Sequence, residues 1–275
     1  MTSPRDVIRK GSKSFALATL FLPTNSQDEV HILYAWLRHC DDRIDSENSK
    51  MTDLEQLKMQ LLQRQDDHPF KLLQNIISDR NLPLEYFNEF FEGLRMDLEN
   101  KGYQTLSDLE LYCYRVAGVV GLILCPIMGV THPQSYQHAS ALGIGMQLTN
   151  ICRDIVEDAR NSRIYLPRDI LKQNTSASDI IAAPELCRAA VLQLLARAEI
   201  LYEKGNQGLK YLPFRVAIAV GSASFIYRAI GKKILKNLPE TLRHRSIVGK
   251  FEKIKCVLQG FYWAVISRFQ RLEPK

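Results

Sequence analysis

The sequence lacks the features that mark several large classes of protein. Its cysteines are scattered, and no two of them form a C-x-x-C pair or a metal-finger spacing. We therefore expect them to be small buried hydrophobes in a reducing compartment. Runs of alternating residues between hairpin turns are also scarce, so no sheet is expected. These six cysteines are Cys40, Cys113, Cys125, Cys152, Cys187 and Cys256.

Long apolar runs are missing as well. The longest, VAGVVGLILCPIMGV over 116–130, contains three glycines and a proline. It is shorter than the ~20 residues that a membrane-spanning helix needs, so it predicts a buried core helix. Near the start, FALATLFL follows several basic residues and imitates a signal peptide. No small-residue cleavage site follows it, so we expect no cleaved signal.

Helical periodicity, by contrast, covers most of the chain. Proline and glycine fall between the periodic segments, where helix boundaries are expected. No fixed repeat and no linker divides the sequence, so we predict one all-α domain over residues 1–275. The predicted helices cover 27–46, 52–65, 68–80, 83–100, 106–129, 133–158, 184–207, 213–237 and 247–269.

The charge is unevenly distributed. The net charge is +6, and residues 228–275 contain 12 Lys and Arg against three Glu. Such a basic region suits an anionic substrate, an anionic lipid surface or nucleic acid, or is simply a solvated face. We do not expect nucleic acid as a partner, because the region lacks interleaved aromatic residues and any recognisable nucleic-acid-binding module.

Three aspartates crowd the segment RHCDDRID over 38–45. Asp41 and Asp45 are four residues apart, so on a helix they share one face with Tyr34 and Arg38. A like-charge pair at this spacing destabilises a helix by a few tenths of a kcal/mol. The arrangement is therefore either left in solvent or used to hold a cation.

A second acidic stripe lies in QLTNICRDIVED over 147–158. Gln147, Asn150, Asp154 and Asp158 share one helical face, and the rest of that segment is largely apolar. One such cluster alone is more often a solvated helix end than a metal site. Two clusters at matched spacing on apolar helices favour the metal site.

The residue types in these stripes indicate a particular cation and ligand. Carboxylate and amide oxygens suit Mg²⁺, which shares itself with phosphate oxygens. No histidine joins either stripe, which argues against zinc and against a di-iron site. Arg38 and Arg153 stand beside the acids, and guanidinium groups commonly bind phosphate. The pattern thus predicts Mg²⁺-bridged binding of a diphosphate.

Four sequence blocks resemble the signatures of the squalene/phytoene synthase family. They are GSKSFALA (11–18), LYAWLRHCDDRID (33–45), YCYRVAGVVG (112–121) and LGIGMQLTNICRDIVEDARNSRIYLP (142–167). The blocks occur in the family's order and are most similar to bacterial phytoene synthases. The resemblance implies a terpene-synthase (isoprenoid synthase) helical bundle around a central apolar cavity. The tail beyond residue 230 matches poorly, so how it closes the cavity is open.

The resemblance also implies an activity. Phytoene synthases join two molecules of geranylgeranyl diphosphate head to head, through a cyclopropyl (prephytoene) diphosphate, in the first committed step of carotenoid synthesis. The reaction requires Mg²⁺, for which Mn²⁺ can substitute, and it needs no NADPH. One alternative is a C30 synthase that makes dehydrosqualene or squalene from farnesyl diphosphate. Another is a non-catalytic family member that acts in binding or assembly, although such proteins typically lose acids from the metal stripes.

Site residues follow from matching the family's motifs position by position. The implied metal ligands are Asp41, Asp45, Asn150, Asp154 and Asp158. The implied catalytic residues are Asp41, Asp45, Asp154, Asp158 and Tyr112. The implied substrate-binding residues are Gly11, Ser12, Lys13, Ser14, Phe15, Tyr34, Arg38, Gln147, Arg153, Arg163, Tyr165 and Tyr227.

Three further expectations concern surroundings and packing. The hydrocarbon product must leave toward lipid, so we expect a cytoplasmic protein with peripheral contact at the inner face of the membrane. The oligomeric state is not readable from the sequence.

Gly118, Gly121, Gly143 and Gly145 either let isoprenoid chains run close to helix backbones or serve tight helix packing. Arg43, inside the first acidic block, either turns outward or offsets the excess charge.

Overall fold

The computed structural model describes residues 3–46, 48–62, 70–171, 174–238 and 240–272. Within these ranges every regular element is a helix, as the sequence predicts. The α-helices are α1 Pro4–Gly11, α2 Lys13–Thr19, α3 Thr24–Ile44, α4 Met51–Leu62, α5 Phe70–Asp79, α6 Leu84–Glu99, α7 Leu106–Cys113, α8 Val119–Ile127, α9 Gln134–Arg160, α10 Ala177–Ala182, α11 Arg188–Asn206, α12 Phe214–Lys236, α13 Glu240–Arg243 and α14 Lys250–Leu272. A π-helical turn, Tyr114–Gly118, joins α7 to α8.

Helix boundaries have local chemical causes. The side chain of Thr105 caps α7 and that of Asp108 reaches back, which together form a capping box. Helix α6 is terminated by the next residue, Asn100, whose φ of 43° lies in the left-handed region. The chain leaves α8 at Gly129, whose φ of 69° suits glycine. The predicted helices are confirmed to within a few residues, except that 63–69 lie outside the described residues.

Sequence periodicity missed four short helices. Helices α1 and α2 lie in the block GSKSFALA and just before it, while α10 and α13 each have six residues or fewer. Segments this short carry too little of a repeating pattern to be recognised. The helix predicted over 247–269 is shifted, since α14 runs from Lys250 to Leu272.

Two apolar clusters hold the helices together. The first surrounds Trp36 of α3, which contacts the rings of Phe87, Phe90 and Phe91 on α6. The second surrounds α9 and α11, and includes the fully buried Leu148 and Leu194. All six cysteines are buried and free, which confirms the prediction that they serve as small hydrophobes.

Helices from both ends of the chain pack onto the central ones. Helix α1 contacts α3, α2 contacts α12, and α14 packs along α12. The segments 106–127 and 214–236 are long and apolar enough to cross a membrane by length and composition. Both contribute side chains to the cavity described below, so packing accounts for their composition. The assignment of residues 1–275 to a single domain stays a prediction.

Candidate active site

A cavity of about 690 Å³ lies between α2, α3, α8, α9 and α12. Most of its wall is apolar, because each of these helices turns one apolar face toward it. Examples of these wall residues are Leu37, Phe90, Val120, Leu124, Met146 and Val220. A cavity with such walls can hold long hydrocarbon chains away from water.

The mouth of the cavity is basic. Several of the residues that line it are also exposed, which places them at the opening. They come from α1 and α2, from α3, and from the segment between α13 and α14. The cationic members are Lys10, Lys13, Arg38 and Arg245, with the half-buried Lys253 beside them. Such a cluster attracts an anionic group to the opening and can neutralise it there.

The predicted residues Gly11 to Phe15 lie at this mouth, beside Tyr34. The hydroxyl of Tyr34 rests against Gly11, where a Cβ atom would collide with it. The ring of Tyr34 also contacts that of Phe15, with centroids 5.9 Å apart. Burial and the nearby Tyr227 raise the pKa of Tyr34 to about 12, so its hydroxyl stays a hydrogen-bond donor at neutral pH. Gly11 is therefore required for the position of Tyr34.

The first acidic pair combines two different environments. Asp41 lines the cavity, and burial together with the charges of Asp45 and Asp97 raises its pKa to about 7. Asp45 is exposed and accepts a hydrogen bond from Nη1 of Arg163 at 2.6 Å. Asp42, which directly follows Asp41, forms an ion pair with Arg38 at 2.8 Å. Asp41 has no ion-pair partner among the residues that the structure describes.

The second acidic pair repeats this division in the opposite order. Asp154 lines the cavity and accepts two hydrogen bonds from Arg153, at 2.9 and 2.5 Å, and Nε of Arg245 lies 3.2 Å away. Asp158, one turn later, has no ion-pair partner within the described chain. Burial and the charges of Asp154 and Glu157 raise the pKa of Asp158 to about 8.

A fifth carboxylate, Asp97 on α6, links the two pairs. It accepts hydrogen bonds from Tyr165 at 2.8 Å and from Tyr112 at 3.1 Å. Burial raises the pKa of Asp97 to about 6, and its charge in turn raises the pKa values of Asp41 and Asp158. The sequence analysis missed Asp97. Its position was a usable signal, because Asp97 continues the face of the buried residues at 90 and 94.

Five predicted site residues do not line the cavity but lie around Asp97. They are Asp45, Asp158, Tyr112, Arg163 and Tyr165. Tyr112 is 4% exposed, and its ring contacts those of Tyr103 and Tyr165. Arg163 reaches Asp45 from the loop that follows α9. Tyr112 thus has the satisfied hydroxyl of a core aromatic residue and contacts the acidic cluster through Asp97. The predicted Gln147, Asn150, Arg153 and Tyr227 all line the cavity.

The donor set fits a hard divalent cation. The side-chain oxygen of Asn150 is buried and has no hydrogen-bond partner in the described chain, while its amide nitrogen donates to Gln147 at 3.3 Å. An orphaned buried oxygen beside carboxylates with raised pKa values suits a bound cation. Within the described residues no three acidic, cysteine or histidine side chains already form a metal cluster. Asp45 and Asp154 are paired with arginines, so binding of a cation by these two carboxylates would compete with those ion pairs.

The structure bears on two alternatives that the sequence left open. A Cβ atom on Gly121 would lie 2.5 Å from the carbonyl oxygen of Ala139, and one on Gly143 would collide with Ala117. These glycines serve the close packing of α9 against α8 and the preceding π-helical turn, and both also line the cavity. Arg43 turns outward, where its guanidinium pairs with Asp53 at 2.6 Å. It does not offset the charge of the acidic cluster.

An all-α bundle with two acidic helices and an apolar cavity is the arrangement of an isoprenoid synthase. The chain belongs to the squalene/phytoene synthase family, whose characteristic sequence it matches over residues 8–252. It is 38% identical to a 15-cis-phytoene synthase from Paracoccus sp. (strain N81106 / MBIC 01143), over 96% of this chain and 91% of that protein. Its identity to a 15-cis-phytoene synthase from Enterobacter agglomerans is 35%, over 96% of each chain.

Solved structures agree with this assignment. A dehydrosqualene synthase in complex with a ligand superposes with a TM-score of 0.82 and 31% identity, covering 96% of this chain and 95% of that one. A squalene synthase from Alicyclobacillus acidocaldarius gives a TM-score of 0.74 with 28% identity, covering 85% of this chain and 92% of that one. The prediction of an isoprenoid synthase fold is confirmed.

Proposed function

We propose that this protein is a prenyltransferase that condenses two molecules of geranylgeranyl diphosphate head to head into 15-cis-phytoene. Relatives named for that activity match nearly the whole chain at 35–38% identity. The structural observation that carries the proposal is the position of Asp41 and Asp154. Both acids line the same apolar cavity from different helices, beside its basic mouth. This geometry suits substrates with one diphosphate and one long hydrocarbon chain.

The basic residues at the mouth bind and orient the diphosphates. Arg38 and Arg153 lie on the two acidic helices and line the cavity, and Lys13 and Lys253 approach from α2 and α14. Guanidinium and ammonium groups stabilise negative charge that develops on a departing diphosphate. Burial, and then the charge of Lys13, lowers the pKa of Lys253, and both side chains line the cavity.

Asp41, Asp45, Asn150, Asp154 and Asp158 are the residues that would hold Mg²⁺. When bound, Mg²⁺ would neutralise charge on the diphosphate leaving group and so favour ionisation. Burial disfavours the charged forms of Asp41 and Asp158, so a bound cation would stabilise both carboxylates. Arg163 and Arg153, which now pair with Asp45 and Asp154, would then be free to bind phosphate oxygens.

The apolar wall protects the reaction. Loss of diphosphate leaves an allylic cation, which the double bond of the second substrate attacks. The resulting cation loses a proton as the three-membered ring closes, which gives the cyclopropyl diphosphate. A second ionisation, rearrangement and proton loss yield the C40 triene. Water would quench either cation, so side chains such as Val120, Leu124 and Val220 must exclude it. Tyr112 acts in this scheme as a positioning residue that holds Asp97.

The C30 alternative has one observation in its favour. The solved structure that superposes with a TM-score of 0.82 is a dehydrosqualene synthase. A C30 synthase would use the same acidic pairs and a shorter stretch of the cavity. The two functions differ in substrate length and, for squalene, in a requirement for NADPH. The relatives named 15-cis-phytoene synthase favour the C40 reaction.

Product analysis tests the proposal. Purified protein with Mg²⁺ is given geranylgeranyl diphosphate or farnesyl diphosphate, each with and without NADPH, and the extracted hydrocarbons are identified. We expect phytoene from the C20 substrate without NADPH. A C30 hydrocarbon alone would overturn the substrate assignment and keep the chemistry. The Asp41→Asn variant is the control for a contaminating synthase, and the absence of any product from the wild type would favour a non-catalytic role.

A further inference from the structure

Helix α14 carries large apolar side chains on the face that points away from the rest of the protein. Going along the helix, they recur every three or four residues, so they form one stripe. Each of the five strongest members is more than half exposed: Phe251 (85%), Ile254 (55%), Leu258 (63%), Tyr262 (59%) and Phe269 (67%). We name these five residues the α14 stripe. An apolar surface of this extent on one helix indicates a contact with another apolar phase.

The opposite face of α14 shows that the helix is firmly docked. Its buried residues are small: Cys256, Gly260, Ala264 and Ser267. A Cβ atom on Gly260 would lie 2.5 Å from the backbone nitrogen of Ser222, so α14 lies in direct backbone contact with α12. Because small residues fix the inner face, rotation of α14 cannot bury the stripe. The stripe is a permanent feature of the surface.

Cationic residues accompany the stripe. Lys250, Lys255 and Arg268 are exposed on the same helix, and Glu252 is its one acid among the described residues. A helix with an apolar outer face and flanking lysines matches the interface between lipid headgroups and acyl chains. Each such cation contributes attraction to an anionic leaflet. A second copy of this basic chain would place like charges together, so the charge pattern favours lipid.

The stripe is continuous with the mouth of the cavity. Ile247, which precedes α14, lines the cavity and is 66% exposed. Lys253 lines the cavity from the first turns of α14, while Phe251 and Ile254 lie on the outer side of the same turns. One helix therefore separates the mouth from the stripe. When the protein binds a surface through the α14 stripe, the mouth of the cavity lies close to that surface.

We propose that the α14 stripe docks the protein on an anionic lipid bilayer and that the hydrocarbon product passes to the bilayer beside Ile247. The docking surface rests only on the exposed side chains of α14. The passage of product also depends on the function proposed above. A C40 hydrocarbon cannot dissolve in water, so release into an adjoining bilayer removes the barrier to the next turnover.

Flotation with vesicles tests the docking surface without any substrate. The probes are vesicles of phosphatidylcholine alone and vesicles that also contain phosphatidylglycerol. We expect wild-type protein to float with the anionic vesicles at low salt. The double variant Phe251→Ser/Leu258→Ser should bind at least roughly tenfold more weakly, since each substitution removes an apolar side chain that the bilayer would bury. Lys250→Gln/Lys255→Gln should weaken binding to the anionic vesicles and abolish most of the salt dependence.

A matched control removes exposed apolar side chains elsewhere. Leu192 and Ile200 on α11 are 44% and 55% exposed, so Leu192→Ser/Ile200→Ser should float like the wild type. Circular dichroism melts verify that each variant is folded, and Tyr262→Ser replaces the double variant if that one is not. Equal flotation of the stripe and control variants would overturn the proposal. So would an absence of wild-type binding, or a dimer in sedimentation equilibrium that only the stripe variant dissociates.

Turnover separates this proposal from the proposed function. With geranylgeranyl diphosphate and Mg²⁺, wild type and stripe variant should form the same product in the first turnover. Added anionic vesicles should accelerate later turnovers of the wild type and leave the stripe variant several-fold slower. Vesicle binding without any product would reject the proposed function and keep the docking surface. Product formation without vesicle binding would reject the docking surface and keep the proposed function.

Discussion

The two acidic pairs share one spacing, but the structure treats their members differently. On α3 the second acid, Asp45, is paired with Arg163, and the first, Asp41, is not. On α9 the first acid, Asp154, is paired with Arg153 and Arg245, and the second is not. Each helix therefore contributes one neutralised and one uncompensated carboxylate. The difference indicates that one carboxylate of each pair would be stabilised in its charged form by a bound cation.

The largest expected effect comes from removing an uncompensated acid. Asp158→Asn should lower kcat by roughly 10²–10³-fold, because it deletes an oxygen ligand for Mg²⁺ and a negative charge that attracts the ion. The same change should stabilise the metal-free protein at pH 9, on the order of 2 kcal/mol, since burial of that charge is unfavourable. Steady-state kinetics and urea unfolding measure the two effects. Loss of both activity and stability would contradict this division of roles.

Asp45→Asn tests the same comparison at an acid that has an arginine partner. Asp45 is half exposed and its loss leaves Arg163 without that partner, so no stabilisation is expected at pH 9. Activity should still fall, because Asp45 is a predicted ligand. A stabilising effect equal to that of Asp158→Asn would show that the ion pair does not distinguish the two acids.

The pH dependence of the metal-free protein should have an unusual sign. The pKa values of Asp41, Asp97 and Asp158 are raised to about 7, 6 and 8, against an ordinary value of 3.8. The folded state binds more protons than the unfolded state between these limits, so stability should fall as pH rises from about 4 to 8. Mg²⁺ should restore stability at pH 8. Thermal melts with and without Mg²⁺ make the test, and a stability that rises through this pH range would refute it.

A smaller effect is expected at the mouth. Gly11→Ala should displace the hydroxyl of Tyr34 and raise KM by roughly tenfold, the cost of a misplaced binding group. Gly249→Ala is the matched control, because a Cβ atom there meets nothing within 4 Å. Equal KM values for the two variants would mean that Tyr34 does not position the substrate.

The smallest effect concerns Tyr112. Tyr112→Phe removes one of the two hydrogen bonds to Asp97 and leaves that of Tyr165, so kcat should fall several-fold with KM nearly unchanged. Tyr165→Phe removes the shorter bond and should have the larger effect. If Tyr112→Phe instead abolished turnover, Tyr112 would act on the substrate directly and not through Asp97.

The sequence predicted what depends on local pattern. Helical periodicity located the long helices, and the spacing of Asp41, Asp45, Asp154 and Asp158 placed each pair on one helical face. It did not show which acid of a pair would meet an arginine, because Arg163 reaches Asp45 across 118 residues of chain. Contacts of that kind depend on packing between helices and leave no mark in local spacing.

Two residues were missed for related reasons. Asp97 has no second acid three or four residues away, so no motif marks it. Its importance comes from the residues that surround it in the fold. Arg245 lies beyond the four sequence blocks that resemble the family, although the family match extends to residue 252. The fold returns Arg245 to Asp154. Residues 245–248 and Lys253 therefore line the cavity at its mouth, which is how the chain beyond residue 230 contributes to the site.

The most direct test of the metal site is to locate the ion itself. Crystals grown with Mn²⁺ and a non-hydrolysable thiodiphosphate analogue of geranylgeranyl diphosphate would show the metal by anomalous scattering. The account predicts peaks at Asp41 and Asp45 and at Asn150, Asp154 and Asp158, with Arg153 and Arg163 turned away from the acids. Bound analogue with the ion pairs of Asp45 and Asp154 intact, and no peak at either acidic pair, would contradict it.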